Sequence, residues 1–105
     1  MRYPTLATWY QKAAAAGNTE AMTNLGWLYG NGKGVAQDYG KARECYQKAA
    51  DAGYAVAMYH LGCLYENGQG VFEGVDYAQA RRWYQKAAEA GNKHAKQALE
   101  RLGQK

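Results

Sequence analysis

Apolar residues recur along this chain with the spacing of helices rather than of strands. Between Ala21 and Tyr29, alanine, methionine, leucine and tyrosine fall three or four positions apart, which is typical of one face of an amphipathic helix. The same spacing returns in five other stretches, and glycine-containing segments separate them. The pattern therefore predicts six helices, which start near Pro4, Thr19, Asp38, Ala55, Asp76 and Lys93.

The helical pattern is organised in a repeated unit of 36 to 38 residues. The segment Tyr-Gln-Lys-Ala-Ala starts at Tyr10, Tyr46 and Tyr84, and Leu-Gly-x-Leu-Tyr starts at Leu25 and Leu61. The second unit is longer because its glycine-rich loop has two additional residues. A period of this length indicates stacked helical units, each too small to bury its own apolar face alone.

The repeat predicts an all-α fold, a short right-handed αα-solenoid of about six antiparallel helices. At 105 residues the chain is expected to form a single domain, residues 1–105. Its predicted parts are a half-unit at 1–17, two full units at 18–53 and 54–91, and a capping half-unit at 92–105, in which polar residues replace apolar ones.

Two glycines interrupt otherwise helical segments at equivalent places in the two units. Gly26 and Gly62 each come directly after the first leucine of the Leu-Gly-x-Leu-Tyr segment. Glycine inside a helix costs roughly 1 kcal/mol relative to alanine. We expect a neighbouring helix to approach so closely at these positions that a Cβ atom would collide with it.

Composition and charge exclude several classes of function. The net charge of +4 is too small for a nucleic-acid footprint, although residues 78–105 carry seven basic and two acidic side chains. No apolar run is long enough to span a membrane. The loop Gly30–Gly34 follows a helix and lacks the Gly-Lys-Ser/Thr ending of a phosphate-binding loop. No cofactor, metal, nucleic acid or membrane is therefore expected as a partner.

The cysteine content and the first residues bear on the compartment. The two cysteines, Cys45 and Cys63, do not make a disulfide framework, and the first residues do not read as a signal peptide. The expected location is the cytoplasm, and a trimmed piece of an exported protein is the alternative.

The order of motifs resembles a known repeat. Ala-x3-Leu-Gly-x-Leu-Tyr, Gly-x-Gly-Val, Asp-Tyr-x-x-Ala and Tyr-x-Lys-Ala-Ala-x-x-Gly are similar to the Sel-one-like repeat of the tetratricopeptide superfamily. The resemblance covers almost the whole chain. It implies a non-enzymatic adaptor that binds other proteins, in bacterial signalling, secretion or envelope assembly.

One branch of that family, the cysteine-rich secreted bacterial proteins linked to penicillin binding, carries two cysteines seven residues apart in each repeat. Here alanines occupy those positions, at Ala14 and Ala21 and again at Ala50 and Ala57. Without the disulfides, nothing of that branch's proposed activity is expected to carry over.

The predicted interaction surface is the concave groove lined by the second, fourth and sixth helices. Positions on one face of these helices vary between units while their neighbours repeat, as a ligand-facing surface allows. Trp27 and Tyr59 would supply apolar anchors, and His94 and Arg101 an acid-seeking end for a peptide or helix that is expected to be acidic. The predicted groove residues are Glu20, Thr23, Trp27, Val56, Tyr59, Cys63, His94, Gln97 and Arg101.

Two other functions remain open from the sequence. His60 and Cys63 lie one helical turn apart, so a cysteine-dependent or hydrolytic enzyme could use them as a thiol–imidazole pair. Alternatively, the solenoid ends could self-associate, because Trp9 opens the stack without a preceding unit.

Overall fold

The computed structural model describes residues 5–71 and 74–103, in which every regular element is a helix. This confirms the all-α prediction for the described part of the chain. The helices are α1 (Leu6–Ala15), α2 (Thr19–Asn31), α3 (Tyr39–Asp51), α4 (Ala55–Asn67), α5 (Tyr77–Glu89) and α6 (Lys93–Gly103).

Helix starts follow the capping residues that the sequence contains. The side chains of Asn18, Asp38 and Asp76 each accept the backbone N–H three residues further on, at 2.8 to 3.0 Å, which satisfies a donor that the helix itself leaves unpaired. Pro4, where the first helix was predicted to begin, lies outside the described residues, and α1 is capped by Thr5.

A tight turn joins the two helices in each of the three hairpins, α1–α2, α3–α4 and α5–α6. Gly17, Gly53 and Gly91 follow the ends of α1, α3 and α5 with φ of 93°, 93° and 98°, a left-handed conformation that glycine adopts without a Cβ penalty. Because these turns are so short, the two helices of each hairpin run antiparallel.

Each helix packs chiefly against the helices that precede and follow it in the sequence. The resulting body is elongated, 53 × 25 × 18 Å, as expected of a solenoid in which contacts are local. Alanines such as Ala42, Ala57 and Ala80, all fully buried, let the helices approach, and the rings of Tyr46 and Tyr84 fill the space between them. At the first end, Leu6 and Trp9 are exposed; self-association through this end stays a prediction.

The two helix-interior glycines are sites of close approach. A Cβ at Gly26 would lie 2.8 Å from the ring of Tyr46, and one at Gly62 would lie 2.7 Å from the ring of Tyr84. Both distances are shorter than a carbon–carbon contact can be. In both full units the recurring tyrosine, Tyr46 or Tyr84, therefore packs its ring on the glycine of the preceding helix.

Candidate functional site

A cavity of about 260 Å³ opens between α2 and α4, above α3. Aromatic, apolar and amide side chains line it, and among the described residues no aspartate, glutamate, lysine or arginine does. The lining residues are Trp27, Gly30, Asn31, Tyr39, Tyr46, His60, Cys63, Leu64 and Gln69.

Tyr46 and His60 form the inner wall of this cavity. Tyr46 is only 4% exposed, and its ring stacks on the imidazole of His60 with centroids 5.0 Å apart and an interplanar angle of 16°. Burial, helped by the nearby charge of His94, lowers the pKa of His60, so the imidazole is neutral at pH 7. Burial also raises the pKa of the Tyr46 hydroxyl, which therefore stays a hydrogen-bond donor.

The equivalent interval between α4 and α6 holds a polar cluster. The hydroxyl of Tyr84 donates to Glu66 Oε1 at 2.7 Å, and Arg101 donates from both terminal nitrogens to the two oxygens of the same carboxylate, with Nη2 2.9 Å from Oε1. The Glu66 side chain is 9% exposed. An Arg–carboxylate fork of this kind fixes both side chains in orientation, so this cluster ties the last helix to α4.

The structure brings four predicted groove residues together in two pairs. Trp27, on α2, and Cys63, on α4, line the same cavity, and Trp27 keeps 46% of its surface exposed. Tyr59 and His94 bring their rings to 5.8 Å across α4 and α6.

The remaining predicted positions are less uniform. Val56 is 39% exposed, and Gln97 is exposed on α6. Glu20 is also exposed but lines a different cavity, between α1 and α2, together with Trp9 and Asn24.

Thr23 is not on the surface. It is 4% exposed, and its hydroxyl donates to the backbone oxygen of Thr19 at 2.9 Å. The apolar spacing of α2 predicted a single buried stripe, but α2 packs against both α1 and α3, so a broader face is covered. Thr23 is therefore a packing residue, and the prediction that it lines the groove is corrected.

Arg101 does not present a free positive charge. Its guanidinium is held by the carboxylate of Glu66, and that hydrogen bond raises the pKa of Arg101 further above its ordinary value. The side chain remains half-exposed, but its charge is already matched within the protein. The predicted acid-seeking role of Arg101 is corrected on this ground.

The repeat itself identifies the protein's relatives. Sel1 repeats match residues 7–18, 19–54 and 55–92, which is most of the chain.

The chain belongs to the Sel1 repeat family.

Solved structures agree with this assignment. The Sel1 repeat protein from Oxalobacter formigenes is 43% identical, with a TM-score of 0.81, and the match covers 88% of this chain and 68% of that one. A protective antigen of uropathogenic Escherichia coli strains, described as displaying an SLR fold, is 40% identical, with a TM-score of 0.83; the match covers 90% of this chain but 20% of the antigen.

A third neighbour comes from the cysteine-rich branch. Cysteine-rich protein B of Helicobacter pylori is 29% identical, with a TM-score of 0.81, and the match covers 89% of this chain and 68% of that one. In this chain both cysteines are free, and Ala50 and Ala57 pack in the core, 3% and 0% exposed. No curated protein sequence matches the chain significantly. Sel1 repeat proteins are generally protein-interaction scaffolds.

The geometry of this Sel1 repeat protein does not favour a thiol–imidazole pair. No hydrogen bond joins His60 to Cys63, although both residues are among those described; instead the Cys63 sulfur lies 3.4 Å from the hydroxyl oxygen of Tyr84. Burial raises the pKa of the Cys63 thiol despite the hydrogen bonds of neighbouring tyrosines, which is the opposite of what an activated nucleophile requires.

Residues 5–71 and 74–103 contain neither a metal-binding cluster nor a membrane-spanning helix. No group of three or more His, Cys, Asp and Glu side chains in these segments is placed to hold a metal ion. None of their helices combines the length and the apolar content that crossing a bilayer requires.

We expect the Cys63 thiol to react slowly with an alkylating reagent. At pH 7.5 its raised pKa keeps it protonated, so in a Cys45→Ser background it should react at least about tenfold more slowly than in the unfolded chain. Because its folded pKa lies above the ordinary value of 9.0, the rate should rise only at more alkaline pH. Iodoacetamide labelling followed by mass spectrometry measures this, and faster labelling in the folded than in the unfolded protein would restore the enzyme hypothesis.

Sequence reasoning assigned Tyr46 to the core and passed over Gly30, Asn31 and Gln69 as candidates for the site. The Tyr46 ring is indeed in the core, but the residue also lines the cavity. A signal was present: Gly30 and Glu66 occupy equivalent places in the two units and differ in volume and charge. Because Glu66 has a carboxylate side chain and Gly30 has none, the sequence predicts an empty space beside Gly30.

Proposed function

We propose that this Sel1 repeat protein is a non-enzymatic interaction module that holds a segment of a partner protein on the surface formed by α2, α4 and α6. The observation that carries the proposal is Trp27, which is 46% exposed and stands at the mouth of an open cavity with uncharged walls. An exposed tryptophan beside a pocket is the usual composition of a binding hot spot. Tyr59, Val56 and His94 would extend the contact along α4 and α6.

The proposed segment need not be acidic. Within residues 5–71 and 74–103, no lysine or arginine lines the cavity, and the charge of Arg101 is matched by Glu66. Affinity should therefore come mainly from apolar contact at Trp27 and from hydrogen bonds within the cavity, and it should change little with salt.

The test is the loss of peptide binding in Trp27→Ala. Peptides selected from a random phage-displayed library on the wild-type protein should bind the variant about thirtyfold more weakly or worse, because truncation of a central aromatic anchor typically costs about 2 kcal/mol. The melting temperature should hardly change, since Trp27 is largely exposed and alanine is a better helix former. Isothermal titration calorimetry and circular dichroism measure the two quantities.

Trp9→Ala is the matched control, because Trp9 is also an exposed tryptophan, 60% exposed, but lies on α1. It should bind the selected peptides like the wild type. Equal losses in both variants, or unfolding of Trp27→Ala, would reject the proposed surface.

A further inference from the structure

The interval between α2 and α4 (the first interval) and the interval between α4 and α6 (the second interval) are built from equivalent positions of the repeat. Gly30 and Glu66 are equivalent at an offset of 36, and Tyr46 and Tyr84, like Cys63 and Arg101, are equivalent at an offset of 38. In the second interval, Glu66 and Arg101 occupy the space between α4 and α6. In the first interval the same places are held by a glycine and a cysteine, and a cavity of about 260 Å³ remains.

The filled interval shows which group the site accommodates. Tyr84, which is fully buried, donates its hydroxyl hydrogen to a carboxylate oxygen of Glu66 at 2.7 Å. The ring of Tyr84 is seated on Gly62, just as the ring of Tyr46 is seated on Gly26. By this equivalence the hydroxyl of Tyr46 is expected at the corresponding place, where the described residues of the first unit supply no acceptor.

Two polar groups in the open interval lack partners. Within residues 5–71 and 74–103, neither the Tyr46 hydroxyl nor the His60 imidazole has a hydrogen-bond partner, and yet no buried side-chain nitrogen or oxygen in these segments is left unsatisfied. Their polar atoms are therefore open to solvent, and both residues line the cavity. Tyr46 is only 4% exposed, so its hydroxyl is a hydrogen-bond donor at the surface of an otherwise buried residue.

The charge of the site decides between acceptors. Where the second interval has Arg101 as the counter-ion of its carboxylate, the first has the Cys63 thiol. The neutral imidazole of His60 is the only basic side chain among the described residues that line the cavity. A carboxylate entering this space would be desolvated without a counter-charge, which is strongly unfavourable. A neutral group of the same shape meets no such penalty.

The volume of the cavity suits a small group better than a drug-sized molecule. Pockets for drug-sized molecules usually measure about 300–1,000 Å³, and this cavity is smaller. A primary carboxamide offers a carbonyl oxygen for the Tyr46 hydroxyl and N–H donors for a neutral imidazole nitrogen. Glutamine is the neutral counterpart of Glu66 in both length and shape.

We propose that the cavity between α2 and α4 is a recognition pocket for a glutamine side chain of the partner segment, whose carboxamide takes the place that the carboxylate of Glu66 fills in the next unit. This inference rests on the proposed function, since it names the chemistry of one anchor in the bound segment. Trp27 covers the methylene stem of that glutamine, and Tyr46 and His60 bind its head.

The first experiment uses propionamide, the side-chain analogue of glutamine, against propionate, the analogue of glutamate. In NMR titrations at pH 7.5, propionamide should shift the Trp27 indole N–H resonance in a saturable way, and propionate should not. Tyr46→Phe removes the unpartnered hydroxyl but keeps the ring, so it should fold normally and bind propionamide roughly threefold to tenfold more weakly, the value of one hydrogen bond. Tyr10→Phe, a tyrosine of the same repeated position outside the cavity, is the matched control and should bind like the wild type.

The second experiment fills the cavity with the glutamate and arginine that occupy the equivalent places in the second interval. The double variant Gly30→Glu/Cys63→Arg rebuilds in the first interval the pair that fills the second. A Cβ at Gly30 has a single ordinary contact, 3.8 Å from Ala42 Cβ, so the substitution fits the helix. This variant should lose the propionamide response and bind library-selected peptides at least about tenfold more weakly. If it fails to fold by circular dichroism, the Tyr46→Phe titration still decides.

The outcomes separate this inference from the proposed function. Peptides that depend on Trp27 but show no enrichment of glutamine, and that bind Gly30→Glu/Cys63→Arg unchanged, would overturn the pocket and leave the interaction surface standing. A propionamide response weakened threefold to tenfold in Tyr46→Phe, together with a library that yields no Trp27-dependent peptide, would support a carboxamide site and reject the peptide surface. Preference for propionate, or a response equal in wild type and Tyr46→Phe, would overturn the inference.

Discussion

Replacing Gly62 with leucine is expected to lower the free energy of unfolding by about 1–3 kcal/mol or more, because a Cβ at this position would lie 2.7 Å from the ring of Tyr84. That ring is fully buried and its hydroxyl is held by Glu66, so it cannot move aside without loosening the link to α6. The melting temperature should fall by about 4–8 °C for each kcal/mol. Thermal unfolding followed by circular dichroism measures the change.

Gly30→Ala is the control for this prediction, since Gly30 is also a glycine inside an inner helix. Its added Cβ would meet only Ala42, at the ordinary distance of 3.8 Å. Gly30 lies in the last turn of α2, so replacing it without a clash should raise stability by at most roughly 0.5–1 kcal/mol, the value for the middle of a helix. If Gly62→Leu melts like the wild type, or Gly62→Ala is stabilised as Gly30→Ala is, close packing is not the reason for the glycine.

Arg101→Ala is expected to cost about 1.5–3 kcal/mol of stability, the range for hydrogen bonds to a charged group. The variant removes both guanidinium hydrogen bonds from the carboxylate of Glu66, which is 9% exposed. A buried carboxylate without its counter-charge is the unfavourable product of this change. The loss should lie near the lower end of the range, because the Arg101 side chain is 51% exposed and water screens the pair.

Two further variants test the physical reason. Arg82→Ala removes an exposed arginine of α5 and should leave the denaturation midpoint unchanged. Glu66→Gln combined with Arg101→Ala keeps an acceptor for the Tyr84 hydroxyl but removes the negative charge, so it should be more stable than Arg101→Ala alone. Denaturation by urea measures all three, and a midpoint for Arg101→Ala equal to that of Arg82→Ala would show that the ion pair does not stabilise the fold.

The candidate site was predictable in part, through positions that a helix displays by its own geometry. Trp27 and Cys63 were assigned to one surface from their equivalent positions in the repeat, and the structure places them around the same cavity. Thr23 was assigned to the same surface by the same rule, and it is buried because α2 has packed neighbours on two sides. A helical spacing gives the direction of a side chain from its own helix axis but not how many neighbouring helices surround that axis.

The sequence by itself determined the six helices, the caps at Asp38 and Asp76 and the order in which the helices stack. These features depend on interactions over a few residues: Asp38 capping the N–H of Lys41, the left-handed turn at Gly53, and an apolar stripe repeated every 36 to 38 residues. Only the tertiary structure decided that Glu66 of α4 and Arg101 of α6 form an ion pair. That pair neutralises the positive charge of Arg101, which the sequence had predicted to bind an acidic partner. The tertiary structure also decided that the equivalent space beside Gly30 stays open, because whether a gap between helices is filled depends on side chains that come from three different helices and meet only when those helices pack.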